Sequence, residues 1–242
     1  MNVSIVKDYE AMSQEAAKIV MDQVKKKPNL IVCFPTGSTP IRMYEILVEE
    51  NAKGNVDFSN VQVRSVDDYV GLPPEHDQSY AYFLDRLFFS KCNFNPKNIR
   101  LVQSCAPDMN EECRRYAKML EDEGGIDLII DGIGENGHIG FNEPADKLMD
   151  RYHVEKVSEW TRKVNARFFE SMDEVPKFAV TVGVLDLLES GMFLILSNGT
   201  KKAEAWKRLF HDGHLTTEFP ASFLKLGRNV HCILDEASAS LI

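Results

Sequence analysis

Apolar residues gather in five short runs along this chain: Asn29–Phe34, Val61–Val66, Ile126–Ile130, Met192–Leu196 and Val230–Leu234. Most are apolar at successive positions rather than alternating ones, which predicts strands buried on both faces. Between them the apolar positions return at helical spacing. Met12, Ala16, Ile19, Val20 and Val24 trace one stripe, which Pro28 ends, and Tyr80, Phe83, Leu84 and Leu87 trace another. Alternating strand and helix predicts an α/β fold: a modified doubly wound, Rossmann-like, mostly parallel sheet with helices on both faces. Right-handed crossovers then put the functional loops at the carboxyl ends of the strands. No repeat, low-complexity tract or Pro/Ser-rich linker divides the chain, so residues 1–242 are expected to form one domain. Residues 143–177 carry mixed charge (Asp146, Lys147, Asp150, Arg151, Glu155, Lys156) and little periodicity. They predict a helical excursion or lid over the crevice, with a plain surface insertion as the alternative.

Composition narrows the setting. With 242 residues and 44% hydrophobic content the chain can bury a full core. Its five cysteines are odd in number, scattered, and free of any C-x-x-C pair, which suggests neither a disulfide framework nor a zinc site. The start, Met1-Asn-Val-Ser-Ile-Val, lacks a basic leader, and no run approaches membrane-spanning length. These features predict a soluble protein of a reducing cytoplasm, with no membrane partner. Asp and Glu outnumber Lys and Arg by 37 to 28, a net charge of -9, which argues against a nucleic-acid partner. A small anion would have to be held locally, by backbone N–H groups and one or two cations.

Three strand ends carry the candidate chemistry. In Phe34-Pro-Thr-Gly-Ser-Thr-Pro40, Thr39 followed by Pro40 predicts an N-cap and a first-turn proline. Thr36, Gly37, Ser38 and Thr39 would then cradle a phosphate or sulfate at a helix start; an ordinary capped turn is the alternative. In Ser65-Val-Asp67-Asp68-Tyr69 two carboxylates follow a strand, so one can face the crevice as a base while its neighbour braces the loop. A solvated turn would show the same pair. The third, Asp131-Gly-Ile-Gly-Glu-Asn-Gly-His138-Ile-Gly-Phe-Asn-Glu143-Pro144, sets glycines 132, 134, 137 and 140 around one histidine. Glycines there allow conformations closed to other residues and let a substrate approach the main chain, Gly137 included. Asn136 or Glu143 could hold one imidazole nitrogen and leave the other free for proton transfer. No second His or Cys stands at metal-ligand spacing. Arg167 and Lys202, each readable singly as a surface charge, could together supply the positive field that the acidic chain lacks.

The segments PTGSTP, DDYVGLPPEHDQSYAYF, GIGENGHIGFNEP, NARFF, VPKFAVTVG and KKAEAW, in order from 35 to 206, resemble the glucosamine-6-phosphate deaminase (isomerase) family. The resemblance implies conversion of glucosamine 6-phosphate and water to fructose 6-phosphate and ammonia, with no metal or organic cofactor. It implies that Asp67 is the base that moves a proton between C2 and C1 through an enolamine. It makes His138 the ring-opening acid/base and Glu143 the carboxylate that orients it, with Asn136 where some members have aspartate. The resemblance also implies phosphate contacts at Gly37, Ser38, Thr39, Arg167 and Lys202, with Asp68 and Gly137 expected in the substrate-binding set.

Two stretches depart from the family pattern. Asp68 stands where many relatives carry glutamate. Asp146 and Glu155 lie in the stretch that supplies hydroxyls and basic groups to an activator phosphate in allosteric members, and they would oppose an anion there. Another hexosamine phosphate, such as galactosamine 6-phosphate, and a non-catalytic sugar-phosphate sensor stand as alternatives. Oligomeric state is open.

Overall fold

The computed structural model describes residues 1–242. Strand β1 (Asn2–Val6) leads into helix α1 (Tyr9–Lys26), whose start is capped by Asp8 accepting from the Ala11 N–H at 2.9 Å. Then follow β2 (Ile31–Phe34), α2 (Ile41–Ala52), β3 (Gln62–Ser65), β4 (Asp67–Tyr69), α3 (Tyr80–Leu87) and α4 (Met109–Asp122). The second half contains β5 (Leu128–Gly132), β6 (His153–Lys156), α5 (Glu159–Asn165), β7 (Phe178–Thr181), α6 (Val184–Glu189), β8 (Met192–Ser197), α7 (Ala203–His211) and β9 (Val230–Asp235).

Six strands form a sheet in the order β1-β9-β8-β5-β2-β3, and every pairing in it is parallel. Alternation inside the strands builds two cores. Ile31 and Cys33, Ile129, Phe193 and Ile195 enter the face covered by α4, α6 and α7, through Tyr116, Leu120, Leu187, Trp206 and Leu209. Val32 and Phe34, Leu128 and Ile130, Leu194 and Leu196 enter the other, covered by α1, α2 and α3 through Met12, Val20, Tyr44, Leu47 and Leu84. Burial on both faces is why these runs read as continuous apolar stretches.

β2 pairs with β3 on one side and with β5 on the other, so the chain winds outward in both directions from the β2/β5 boundary. That boundary is the switch point at which open α/β sheets leave a crevice at the carboxyl ends. A second, antiparallel sheet of order β4-β7-β6 stands beside it. Asp67–Tyr69 is a short strand of it, paired Asp67↔Thr181 and Tyr69↔Ala179, and the helical excursion expected over 143–177 is present as α5, with the strand β6 in addition. The edge strand β1, exposed at alternate positions, was not distinguished by any apolar run.

Candidate active site

The turns after β2, β5 and β8, with α5 as a rim, enclose a cleft of about 670 Å³. After β2 the buried Pro35 carbonyl accepts from Tyr44 Oη at 2.5 Å, and the Ser38 carbonyl accepts from Tyr9 Oη at 3.1 Å. With its carbonyls anchored this way, the turn keeps the N–H groups of Thr36, Gly37, Ser38 and Thr39 without internal acceptors, directly before the positive end of α2. The expected cap is not formed. Pro40 occupies the N-cap position of α2, and the Thr39 hydroxyl instead donates to Asn198 Oδ1 at 2.9 Å. That bond ties the turn after β2 to the turn after β8, which carries Lys202 in the 3₁₀ segment Thr200–Lys202. Gly199 N–H, in that same turn, is held by both carboxylate oxygens of Asp235 at 3.0 Å. Burial lowers the Lys202 pKa, while Glu135 and Asp131 pull it up. Arg167 is exposed at the rim, 4.7 Å over the Phe168 ring, and also lines the cleft.

Asp67 and Asp68 divide as alternate residues of a strand should. Asp67 opens into the cleft, yet enough protein surrounds it that burial, then Asp131 and Asp68, push its carboxyl well above the usual range. Asp68 turns away and is buried. Its Oδ1 accepts from Tyr69 N–H at 2.7 Å and Tyr80 N–H at 3.0 Å, bracing the start of α3. Asp68 therefore does not line the cleft, against its expected place among the binding residues.

His138 lines the cleft on the glycine-rich loop after β5, its side chain 23% exposed. Its Nδ1 stands 3.6 Å from Glu143 Oε2, an ion-pair spacing, and has no hydrogen-bond partner. Glu143 is buried and held firmly. Asn136 Nδ2 donates to Oε2 at 2.9 Å, Ser158 Oγ to Oε1 at 3.1 Å, and the Thr161 hydroxyl also donates to Oε1. Burial alone would raise the Glu143 carboxyl, but His138, Thr161 and Asn136 outweigh it and hold it at about 2. Asn136 thus braces Glu143 and the His138 backbone N–H (3.2 Å) rather than the imidazole. Two glycines have packing reasons. A Cβ on Gly134 would lie 2.4 Å from His138 Nδ1, and one on Gly137 would lie 2.1 Å from the Phe219 ring. Gly137 makes room for Phe219 and is not part of the cleft wall, which corrects its expected approach to a substrate.

Sequence reasoning missed Asp131, Ser158, Thr161, Trp160 and Asn198. Ser158 caps α5 through Thr161 N–H, and Trp160 sets its ring edge-on to His138 at 6.4 Å. Ser158-x-x-Thr161 before a short helix was a legible capping signal, but nothing along the chain ties it to Glu143. No group of three His, Cys, Asp or Glu side chains is placed to hold a metal ion.

Fold and cleft define the class: a doubly wound α/β enzyme with titratable groups and a row of free backbone N–H groups in one crevice at the sheet's switch point. The chain belongs to the family of glucosamine-6-phosphate isomerases/6-phosphogluconolactonase, whose pattern matches residues 7–232. It is 45% identical over 242 residues to a glucosamine-6-phosphate deaminase of Thermoanaerobacter sp. (strain X514), covering 100% of this chain and 95% of that protein. A glucosamine-6-phosphate deaminase of Clostridium perfringens (strain 13 / Type A) is 39% identical, with 100% of both chains covered. Among solved structures, a monomeric glucosamine-6-phosphate deaminase superposes with a TM-score of 0.96 at 38% identity over 100% of both chains. The 6-phosphogluconolactonase of Trypanosoma brucei shares the fold, with a TM-score of 0.78 at 16% identity, 99% of this chain and 97% of that one being covered.

Proposed function

We propose that this chain converts glucosamine 6-phosphate and water to fructose 6-phosphate and ammonia, residues 1–242 acting as one domain. The observation that carries the reading is the pairing, in one cleft, of a protonatable carboxyl on β4 with a carboxylate-oriented histidine on the loop after β5. Aldose–ketose isomerisation needs a base at carbon and an acid/base at oxygen, kept apart and sheltered from bulk water. Deaminases at 39–45% identity along the full chain support this reading over lactone hydrolysis.

In this reading the free N–H groups of Thr36–Thr39, with Lys202 and Arg167, take the phosphate. His138, steadied by Glu143, moves a proton at the ring oxygen and opens the sugar. Asp67 then removes the C2 proton and returns it to C1 through an enolamine; water adds to the resulting C2 imine and ammonia leaves. Burial suits Asp67 to the task, because a carboxyl whose pKa is raised by its surroundings is a stronger base, once ionised, than an exposed one. Asn136, Asp68 and Gly137 support the site from behind. Ammonia release, coupled to detection of fructose 6-phosphate, tests the reading with glucosamine 6-phosphate and galactosamine 6-phosphate side by side. Release from the first alone is expected. Release only from the second would reassign the epimer, and a phosphate ligand bound without turnover of either would favour a sensor.

A further inference from the structure

Asp131 lines the same cleft as the two groups assigned above, yet no step uses it. It lies in β5 opposite Ile195 of β8, where the strand opens into the glycine-rich loop. Its Oδ1 accepts from the Gly132 N–H at 2.7 Å and its Oδ2 from the Gly140 N–H at 2.8 Å, so one carboxylate joins both ends of the loop that presents His138. The far end is pinned again by Phe141 N–H on Thr181 Oγ1 at 3.1 Å and by Asn142 Nδ2 on the Val182 carbonyl at 2.8 Å.

The charges that bear on Asp131 lie on three elements: His138 on its own loop, Lys202 on the turn after β8, and Asp67 on β4. The Asp131 charge also bears on Cys33 of β2 and Tyr44 of α2, and burial keeps both neutral. Asp67 has in addition Asp68 on its own strand and the neutral hydroxyls of Tyr69, Tyr80 and Tyr152. Asp131 is thus the anion from another strand that bears on Asp67.

We propose that Asp131 is a positioning residue for the reaction, fixing the His138 loop at both ends and holding a negative charge against Asp67. The inference rests on the roles of Asp67 and His138 given under the proposed function. Burial raises the Asp131 carboxyl to about 6 against the two N–H bonds and the charges of His138 and Lys202, so it is ionised at and above neutral pH. A fixed anion nearby disfavours a second one, which raises the pKa of Asp67 and makes it a stronger base once ionised.

The test is a carbon-13 carboxyl NMR titration of Asp67 in the free protein, run beside the pH profile of kcat/KM for ammonia release. In Asp131→Asn the Asp67 titration and the acid limb of the profile should both move to lower pH by about half a unit or more, and kcat should fall about tenfold. Asp131→Glu keeps the charge but changes the reach; the titration should stay in place while kcat falls. An unmoved Asp67 in Asp131→Asn overturns the proposal, as does an Asp131→Glu protein that titrates like Asp131→Asn. Should Asp131→Asn fail to fold, Asp131→Glu decides, because unchanged kcat there removes the clamp. A parent protein that releases no ammonia defeats the functional reading instead, and the NMR titration still decides the relation between Asp131 and Asp67.

Discussion

Gly134 and His138 touch through an absence: the imidazole occupies the space where a Cβ on Gly134 would stand, 2.4 Å from Nδ1. A methyl there would push the ring, which can turn about its own side-chain bonds, rather than the backbone. Gly134→Ala should therefore leave folding stability within about 2 kcal/mol of the parent and lower kcat on the order of 10²-fold. Gly183→Ala is the contrasting case. Its Cβ would meet the backbone of Asp150 and Arg151 at 2.2 and 2.3 Å, which cannot turn aside, so it should lower the melting temperature strongly. Thermal melts with steady-state rates on both variants distinguish the two outcomes; a Gly134→Ala protein with parental kcat would refute the placement of His138 as a working group.

Glu143 makes stability depend on pH. Its carboxyl is held at about 2 against an ordinary 4.5, and its side chain is only 7% exposed. A depressed carboxylate stabilises the fold fully above its unfolded pKa and loses that contribution as pH falls through the folded value. At neutral pH the shift corresponds to at most about 3 kcal/mol. Urea unfolding of the parent and of Glu143→Gln should show a gap that is widest above pH about 5 and closes toward pH about 2. A gap independent of pH would show that the pairing with His138 does not act through charge.

The β2, β5, β8 and β9 strands were legible because burial on both faces leaves a continuous apolar run, and helices α1 and α3 because their stripes survive in the sequence. The small sheet was not. β4 is Asp-Asp-Tyr, whose first carboxylate faces the cleft, so it lacks the apolar pattern that would mark a strand. The site residues His138 and Glu143 stood out because glycines isolate them. Ser158 and Thr161, which hold Glu143 from the cap and first turn of α5, are brought there only by tertiary packing, and Thr39 bonds Asn198 instead of capping its helix for the same reason.

Lys202 and Asn198 should govern binding rather than chemistry. A phosphate present in both ground and transition states loses the same contact in each, so Lys202→Met should raise the dissociation constant of a non-reacting sugar phosphate by roughly 10- to 150-fold, about 1.5 to 3 kcal/mol. Its kcat at saturation should stay close to that of the parent. Asn198→Ala removes the partner of the Thr39 hydroxyl and should weaken the same binding by a smaller factor, through the turn it anchors. Calorimetric titration of both variants checks the order; parental affinity in Lys202→Met would remove it from the cradle.

Asp67 should show turnover and stability moving in opposite directions. Its carboxyl is raised by burial and by the neighbouring Asp131 and Asp68, so the ionised form is disfavoured in the folded state. The sign follows from linkage. A carboxyl with a folded pKa above its unfolded value binds protons more tightly when folded, so stability declines as pH rises from the unfolded value through the folded one. Asp67→Asn keeps the shape and removes that charge. The variant should therefore match the parent in acid and exceed it in melting temperature at pH about 8. Its turnover should fall roughly 10²- to 10⁴-fold, as expected when a general base is lost, while affinity for a non-reacting sugar phosphate hardly changes. Near-parental turnover would exclude Asp67 as the carbon base, and a lower melting temperature at alkaline pH would show that its carboxylate is stabilised in the cleft rather than strained.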